Sequence, residues 1–487
     1  MNGKGCALAC CLLLGSLGVG RNSAIAENAK PNIVLVMADD QGWGEMGYSG
    51  HPALLTPNFD RAAAAGVRFE RFYAAAPVCS PTRASVLTGR HPNRSGVFKW
   101  GHPLRPQEIT LAEVLKGHGY ATAHFGKWHL GSVRRQSLVH PGKQGFDFWI
   151  SAPNFFDNDP ILSWQGKAVK YLGESSKVTV DAAIEWIRQI STNDLPFLAV
   201  VWFGSPHGPH QSSSENRAPY LDEEPRLQHF YGEITGMDRA FGKLRLALDD
   251  LNLRDNTILW YCSDNGALPK VGSAGPFKGH KGQVYEGGLL VPAFLEWPSR
   301  FTKPRSVKTR CNSSDIFPTL LGFVDLPRPH ERKLDGIDLT PFVKGADEQR
   351  ADAMGFWDYP VGGIRTPSAE RMAALLTAQT TRVGDLPATA ESLDAEKLPD
   401  ESYTSKLFPG HAAWIDSDWK LHRITDQQGK VRWELYNLAT DPGETNDLAA
   451  VQPSVVQGMN AALETWLRSV VASMNGEDYT DSEQAGR

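Results

Sequence analysis

Strand-length apolar runs recur along this chain, at Ile33 to Ala38, Tyr120 to Phe125, Phe197 to Phe203 and Thr257 to Cys262, with helical signals between them. A strand that is apolar along its length needs cover on both faces, the situation of a parallel sheet enclosed by helices. The pattern predicts an α/β sandwich with a large, mostly parallel central sheet flanked by helices. Thr56-Pro57 opens one helix as cap and first-turn proline, and Gly66 closes it after four alanines. Thr110 and Glu113 have the spacing of a capping box for a second helix, ended near Gly117 or Gly119. Tyr231 to Leu251 reads as a long amphipathic helix.

From Gly345 the texture changes to a polar, loop-rich stretch through Ser405. Hairpin-like segments follow around Trp414 to His422 and Val431 to Leu438, and a final helix is expected over Pro453 to Met474. The expected division is therefore a large domain over 27–350 and a smaller C-terminal α+β domain with an antiparallel sheet over 351–487.

Residues 1–26 read as an export signal. Lys4 is a basic start, Cys6 to Val19 is apolar, and Ala24-Ile25-Ala26 offers a small-residue cleavage site. The apolar run is too short to span a bilayer, so the mature chain is expected to be secreted or periplasmic with no transmembrane segment. Cys6, Cys10 and Cys11 leave with the signal, and Cys79, Cys262 and Cys311 remain. That is no disulfide scaffold, although conversion of one cysteine would leave a pair. Cys262, inside an apolar strand, reads as core packing. Lys plus Arg number 50 against 55 for Asp plus Glu, with no long run of either sign, so nothing in the charge points to nucleic acid or a membrane surface.

In an open α/β sheet, ligands bind beyond the carboxyl ends of the strands. Four strands here run into polar groups: Asp39-Asp40, Lys127-Trp128-His129, Ser205-Pro206-His207 and Asp264-Asn265-Gly266. Adjacent carboxylates after a buried strand repel each other, and a hard cation neutralises them most simply. With Asp264 and Asn265 the set is all oxygen, which suits Ca²⁺ or Mg²⁺ better than Zn²⁺. In Cys79-Ser80-Pro81-Thr82-Arg83, Pro81 fits the first turn of a helix running to Leu87, placing residue 79 just before an anion-attracting N-terminus. Arg83, one turn in, is placed to hold a nucleophile or an anionic oxygen.

At this point the sequence resembles the type I, formylglycine-dependent sulfatases of the alkaline-phosphatase superfamily. Their Cys-x-Pro-x-Arg signature continues here through Ala84-Ser85-Val86-Leu87-Thr88-Gly89-Arg90, and their second signature matches Gly119 to Gly131. The likeness runs from Pro31 to Pro341, including Lys281-Gly282-Gln283-Val284-Tyr285-Glu286-Gly287-Gly288, and resumes at Leu435 to Leu438 and Asp441 to Glu444. Gly362 to Ser405 matches no motif.

The resemblance implies hydrolysis of a sulfate ester by residue 79, converted from cysteine to formylglycine by a formylglycine-generating enzyme or equivalent maturase. Asp39, Asp40, Asp264 and Asn265 would bind calcium, the family's usual ion, together with residue 79; oxygen ligands also admit magnesium. One hydroxyl of the hydrated aldehyde, activated with Arg83, would attack sulfur. His207 and Lys281 would contact the sulfate and bridging oxygen, with His207 the proton donor to the departing alcohol. Lys127 would brace sulfate and nucleophile, and His129 would take the proton of the second hydroxyl so that sulfate leaves. Trp128 is expected to pack beneath the site. Two other readings compete: a phosphonate or phosphate monoester hydrolase on the same scaffold, and a non-catalytic protein binding sulfated glycans. Aromatic-rich loops at Trp149, Phe155, Phe156 and Trp164 in an exported sulfatase suit sulfated polysaccharide fragments and equally suit aryl sulfates, so the expected substrate is a carbohydrate or aryl sulfate, with the edge to carbohydrate.

Overall fold

Each apolar run forms a strand. The computed structural model describes residues 30–329, 332–346, 349–380 and 402–480, so the export segment read in residues 1–26 lies outside the described residues. The first eleven strands are β1 (Asn32–Ala38), β2 (Val67–Tyr73), β3 (Ala121–Lys127), β4 (Phe148–Ala152), β5 (Ile161–Trp164), β6 (Lys167–Lys170), β7 (Phe197–Trp202), β8 (Thr257–Ser263), β9 (Leu290–Glu296), β10 (Arg305–Val307) and β11 (Cys311–Asn312). They make one sheet in the order β10-β2-β9-β8-β1-β7-β3-β4-β5-β6, with β11 also paired to β2. The centre, β8-β1-β7-β3-β4, is parallel. β9 is antiparallel to both its neighbours, and β5 and β6 form an antiparallel edge.

Alternation along β1 shows why both faces had to be apolar. Ile33, Leu35 and Met37 enter a core shared with the helices Cys79–Thr88, Leu111–Gly117 and Ile316–Phe323. Val34, Val36 and Ala38 enter the opposite core, shared with the helices Pro57–Ala65, Ser175–Ile190 and Pro225–Asp250. Register then sets the site: Met37 lies level with Trp202 on one side and Cys262 on the other, and Gly126 lies level with Trp202. Four strands therefore end side by side. Gly126 has φ +94°, and a Cβ there would stand 1.9 Å from the Trp202 carbonyl oxygen, so only glycine fits this close approach.

The expected capping box forms, with Thr110 Oγ1 accepting from the Glu113 N–H at 3.2 Å and Glu113 Oε2 accepting from the Thr110 N–H at 2.8 Å. The long helix starts at Pro225 rather than Tyr231, because its first turn is largely exposed and shows no apolar stripe. Cys262 and Cys311 are buried free thiols, so the pair left over in the cysteine count does not form a bridge. Among the described residues, no helix is long and apolar enough to cross a membrane.

A separate antiparallel sheet follows: β12 (Met354–Asp358), β13 (Gly410–Asp416), β14 (Trp419–Thr425) and β15 (Val431–Asn437), in that order. β12 and the helix Ser368–Thr380 correct the expectation that 345–405 is loop-rich throughout. The helix Pro453–Met474 spans the expected residues and covers one face, packing Leu463, Trp466, Leu467 and Val470 against Trp414, Leu421 and Leu435. On the other face, Phe356, Ala413, Ile415 and Tyr436 share a core with Tyr73, Val284, Leu289 and Leu290 of the large sheet's side.

That second junction also holds buried charge. Lys420, fully buried, lies 2.8 Å from Glu286 and 3.0 Å from Glu444, and Tyr73 donates to Glu286 at 2.8 Å. Removing the cation strands two carboxylates without water. Lys420→Met is expected to lower unfolding free energy by about 3–5 kcal/mol, read from urea denaturation at pH 7.

Candidate active site

The polar residues that end the parallel strands are tied to one another by backbone hydrogen bonds. The Asp39 N–H donates to Ser205 O at 2.9 Å, and the Asp264 N–H donates to Ala38 O at 3.2 Å. Asp40 adopts φ +73°, a strained conformation for a residue with a side chain. It is held there because its N–H donates to Asp264 Oδ1 at 3.0 Å and its Oδ1 accepts from Asn265 Nδ2 at 2.9 Å. Cys79 is the first residue of the helix Cys79–Thr88, capped by Val78, one position further in than the sequence suggested. Its N–H is therefore among those with no partner in the helix.

Asp39, Asp40, Asp264 and Asn265 are all fully buried. Ligand atoms of Asp39, Cys79 and Asp264 lie within 4.8 Å of one another. Asp39 Oδ1 and Asn265 Oδ1 are buried with no hydrogen-bond partner. A dry set of three carboxylates with two orphaned oxygen acceptors fits a hard divalent cation, which takes oxygen ligands.

Each carboxylate also meets a protein cation. Lys127 Nζ donates to Asp39 Oδ2, Lys281 Nζ to Asp40 Oδ2 and Arg83 Nη2 to Asp264 Oδ2, all at 2.6 Å. Burial works against ionisation of Asp40, but Lys281, His207 and Lys127 together hold its carboxyl well below the usual range. Asp264 is pushed up to about 6 by burial and by the neighbouring charge of Asp39. Lys281 is raised: burial opposes its charge, and Asp40 outweighs it. Arg83 donates to Lys127 O at 3.1 Å and lies over the Trp202 indole, 5.1 Å from its centroid. Trp128, stacked on Trp202, forms the expected layer beneath.

His129 and His207 complete the floor. His129 is buried with neither ring nitrogen bonded, and burial, Lys127 and Arg83 hold its pKa well below normal. His207 Nδ1 bonds Gly208 O at 2.6 Å, its Nε2 stands 3.7 Å from Asp40 Oδ2, and its ring stacks on Phe155 at 4.1 Å. Burial depresses it to about 3 against the pull of Asp40. All ten residues singled out in the sequence thus meet at one place. His102, His210 and His280, outside that set, bond backbone carbonyls of Gly362, Pro206 and Lys281.

Cys79, His129, His207 and Lys281 open into a cleft of about 720 Å³. Phe155 and Phe156 line it, whereas Trp149 and Trp164 do not. Trp100, Asp157, Lys170 and the segment from Arg365 to Glu370 also line it, and the sequence reading found none of these. They carry no periodicity or spacing that marks them, and only the folded chain brings together these loops, the end of β6 and the start of the helix Ser368–Thr380.

A sulfatase family model matches residues 31–326. The chain is 35% identical over 373 residues to N-acetylgalactosamine-6-sulfatase of Canis lupus familiaris, covering 69% of each chain. It is 32% identical over 373 residues to an ulvan-active sulfatase of Formosa agariphila, covering 70% of this chain and 72% of that one. In fold it is similar to the crystal structure of Ps i-CgsB in complex with k-i-k-neocarrahexaose, with TM-score 0.75, 23% identity and coverage of 94% and 96%. The fold is the alkaline-phosphatase-like sandwich, and the relatives are sulfatases. The chain belongs to the sulfatase family and hydrolyses sulfate esters, releasing inorganic sulfate from an organic sulfate.

A cation that binds only the folded site stabilises it by mass action. A divalent cation at a hundredfold excess over its Kd is expected to add about 2.7 kcal/mol, read as a shift in the urea midpoint. Asn265→Ala, which removes one oxygen and no charge, is expected to shrink that shift.

Proposed function

We propose that this chain is an exported, calcium-dependent carbohydrate sulfatase whose nucleophile is the hydrated aldehyde of residue 79. The observation that carries the reading is the dry, oxygen-lined floor, in which residue 79 stands beside Asp39 and Asp264. As a thiol, Cys79 is a poor nucleophile, because burial raises its pKa. Its sulfur stands where an oxygen of the aldehyde hydrate would stand once a maturase has acted on Cys-x-Pro-x-Arg. When bound by Asp39, Asp40, Asp264, Asn265 and residue 79, the calcium supplies positive charge that favours an ionised hydroxyl and offsets charge on the sulfate oxygens.

The chain's own residues do the rest. Arg83, fixed by Asp264 and the Lys127 carbonyl, keeps the nucleophilic oxygen in place. Lys127 and Lys281 present ammonium groups to the sulfate from two sides of the floor. His207 presents Nε2 because Nδ1 is occupied by Gly208 O. A sulfate monoanion beside it favours its protonated form, which then gives the proton to the departing alcohol oxygen. His129, kept neutral by burial, accepts the proton whose loss expels sulfate. Export is read from residues 1–26. A carbohydrate is favoured because the relatives above are named for N-acetylgalactosamine 6-sulfate and ulvan, and because the cleft is roomy enough for a sugar ring.

Purified, natively exported protein is expected to show an aldehyde in place of the residue 79 thiol by mass spectrometry, and to release sulfate from 4-nitrophenyl sulfate and from members of a panel of monosulfated hexoses and hexosamines. Cys79→Ala is expected to lower kcat at least about a thousandfold. Full activity with an unmodified thiol would sink the proposal. Faster turnover of phenylphosphonate than of 4-nitrophenyl sulfate would replace it with a phosphonate monoester hydrolase.

A further inference from the structure

We infer that the outer wall of the cleft is a subsite for an uncharged, hydroxyl-bearing sugar ring, with Trp100 as its stacking platform and Asp157 as its hydrogen-bond acceptor. The inference rests on the reading of the cleft floor as the sulfate site and adds what lies above it.

Trp100 is 39% exposed, unusual for tryptophan, and lines the cleft. Its ring is backed by the chain at Gly363, where a Cβ would stand 2.2 Å from the indole. The Ile364 N–H donates to Trp100 O at 2.9 Å, and the Gly101 N–H donates to Ser80 Oγ at 2.8 Å. Ser80 follows the nucleophile, so the platform is held in fixed relation to residue 79. An indole braced from behind and open in front offers a flat apolar surface to the C–H face of a pyranose at little entropic cost.

Asp157 lies on the wall formed by the loop from Asn154 to Pro160. The side-chain amide of Asn154 donates to Thr366 O at 3.0 Å, joining that loop to the 362–370 segment. The Asp157 carboxylate is half-buried, and among the described residues it has neither a cation nor a hydrogen-bond donor; burial alone raises its pKa. A desolvated acceptor without a partner gains most from donors such as sugar hydroxyls. The charges of the outer cleft argue against a second anion there. Lys170 and Arg365 are outnumbered by Asp157, Asp159 and Glu370, and Arg365 already faces Glu370 at 3.5 Å.

The test compares wild type, Trp100→Ala, Trp100→Phe and Asp157→Asn on 4-nitrophenyl sulfate and on the best-turned-over member of the monosulfated panel. Trp100→Ala and Asp157→Asn are each expected to raise KM for the sugar sulfate about tenfold more than for the aryl sulfate, with kcat changed less than KM. Trp100→Phe is expected to recover most of the loss, which a folding defect would not. A second sulfate on the same ring is expected to lower kcat/KM in the wild type, and Asp157→Asn to narrow that penalty. Equal effects on both substrates, no effect on either, or a wild-type preference for the disulfate would overturn the inference. So would hydrolysis of 4-nitrophenyl sulfate without release from any sugar sulfate, an outcome that leaves the catalytic floor as described. Absence of turnover with every sulfate ester would instead overturn the reading of the floor.

Discussion

Three carboxylates without access to water, Asp39, Asp40 and Asp264, are the constraint around which the catalytic end of this molecule is built. An isolated buried charge costs several kcal/mol, so three side by side persist only with close counter-charge. Lys127, Arg83 and Lys281 each answer one of them, and each comes from a different part of the chain: the end of β3, the helix Cys79–Thr88 and the loop before β9. A divalent cation held among the remaining oxygens would add to that balance. The level ends of β8, β1 and β3 follow from the same demand, because a shift of register along any one of them would part a carboxylate from its cation, and β7 between β1 and β3 keeps that register.

Much of this was legible in the sequence, for a physical reason. A buried strand that stops at an acidic pair, or at Lys-x-His, leaves charged groups where a loop would ordinarily carry neutral turn residues, and several such endings in one chain imply a common destination. Local rules also read true where the interaction is local, as in the Thr110–Glu113 cap and the proline-led start at Pro57. Reading failed where burial is decided by distant partners. β2 mixes charged and aromatic residues and is stabilised by β9, which lies more than two hundred residues later, and β12 becomes a strand because β13 pairs with it across the intervening segment. The outer wall of the cleft was invisible for the same reason: Trp100, Asp157 and Arg365 come from three loops, and only the folded chain places them at one opening.

The loop carrying Lys281 shows how the second sheet bears on the chemistry. The Lys281 N–H donates to Ala267 O at 2.9 Å and the Gly282 N–H to Pro77 O at 2.8 Å, so this loop clasps both the Asp264 turn and the approach to Cys79. Its far end is held by the small sheet's side, where the Glu286 N–H donates to Glu444 Oε2 at 2.6 Å and the Glu286 carboxylate meets Lys420. His422 bonds the same Glu444 at 2.6 Å. The ammonium of Lys281 is therefore positioned by a relay of buried charges reaching into β14, and the small sheet is part of the catalytic scaffold. Loosening that relay shifts Lys281 relative to Asp40 without touching any group on the floor. In the proposed mechanism, where Lys281 is a donor to the sulfate oxygens, a displacement of even about 1 Å would be felt in the rate more than in substrate affinity.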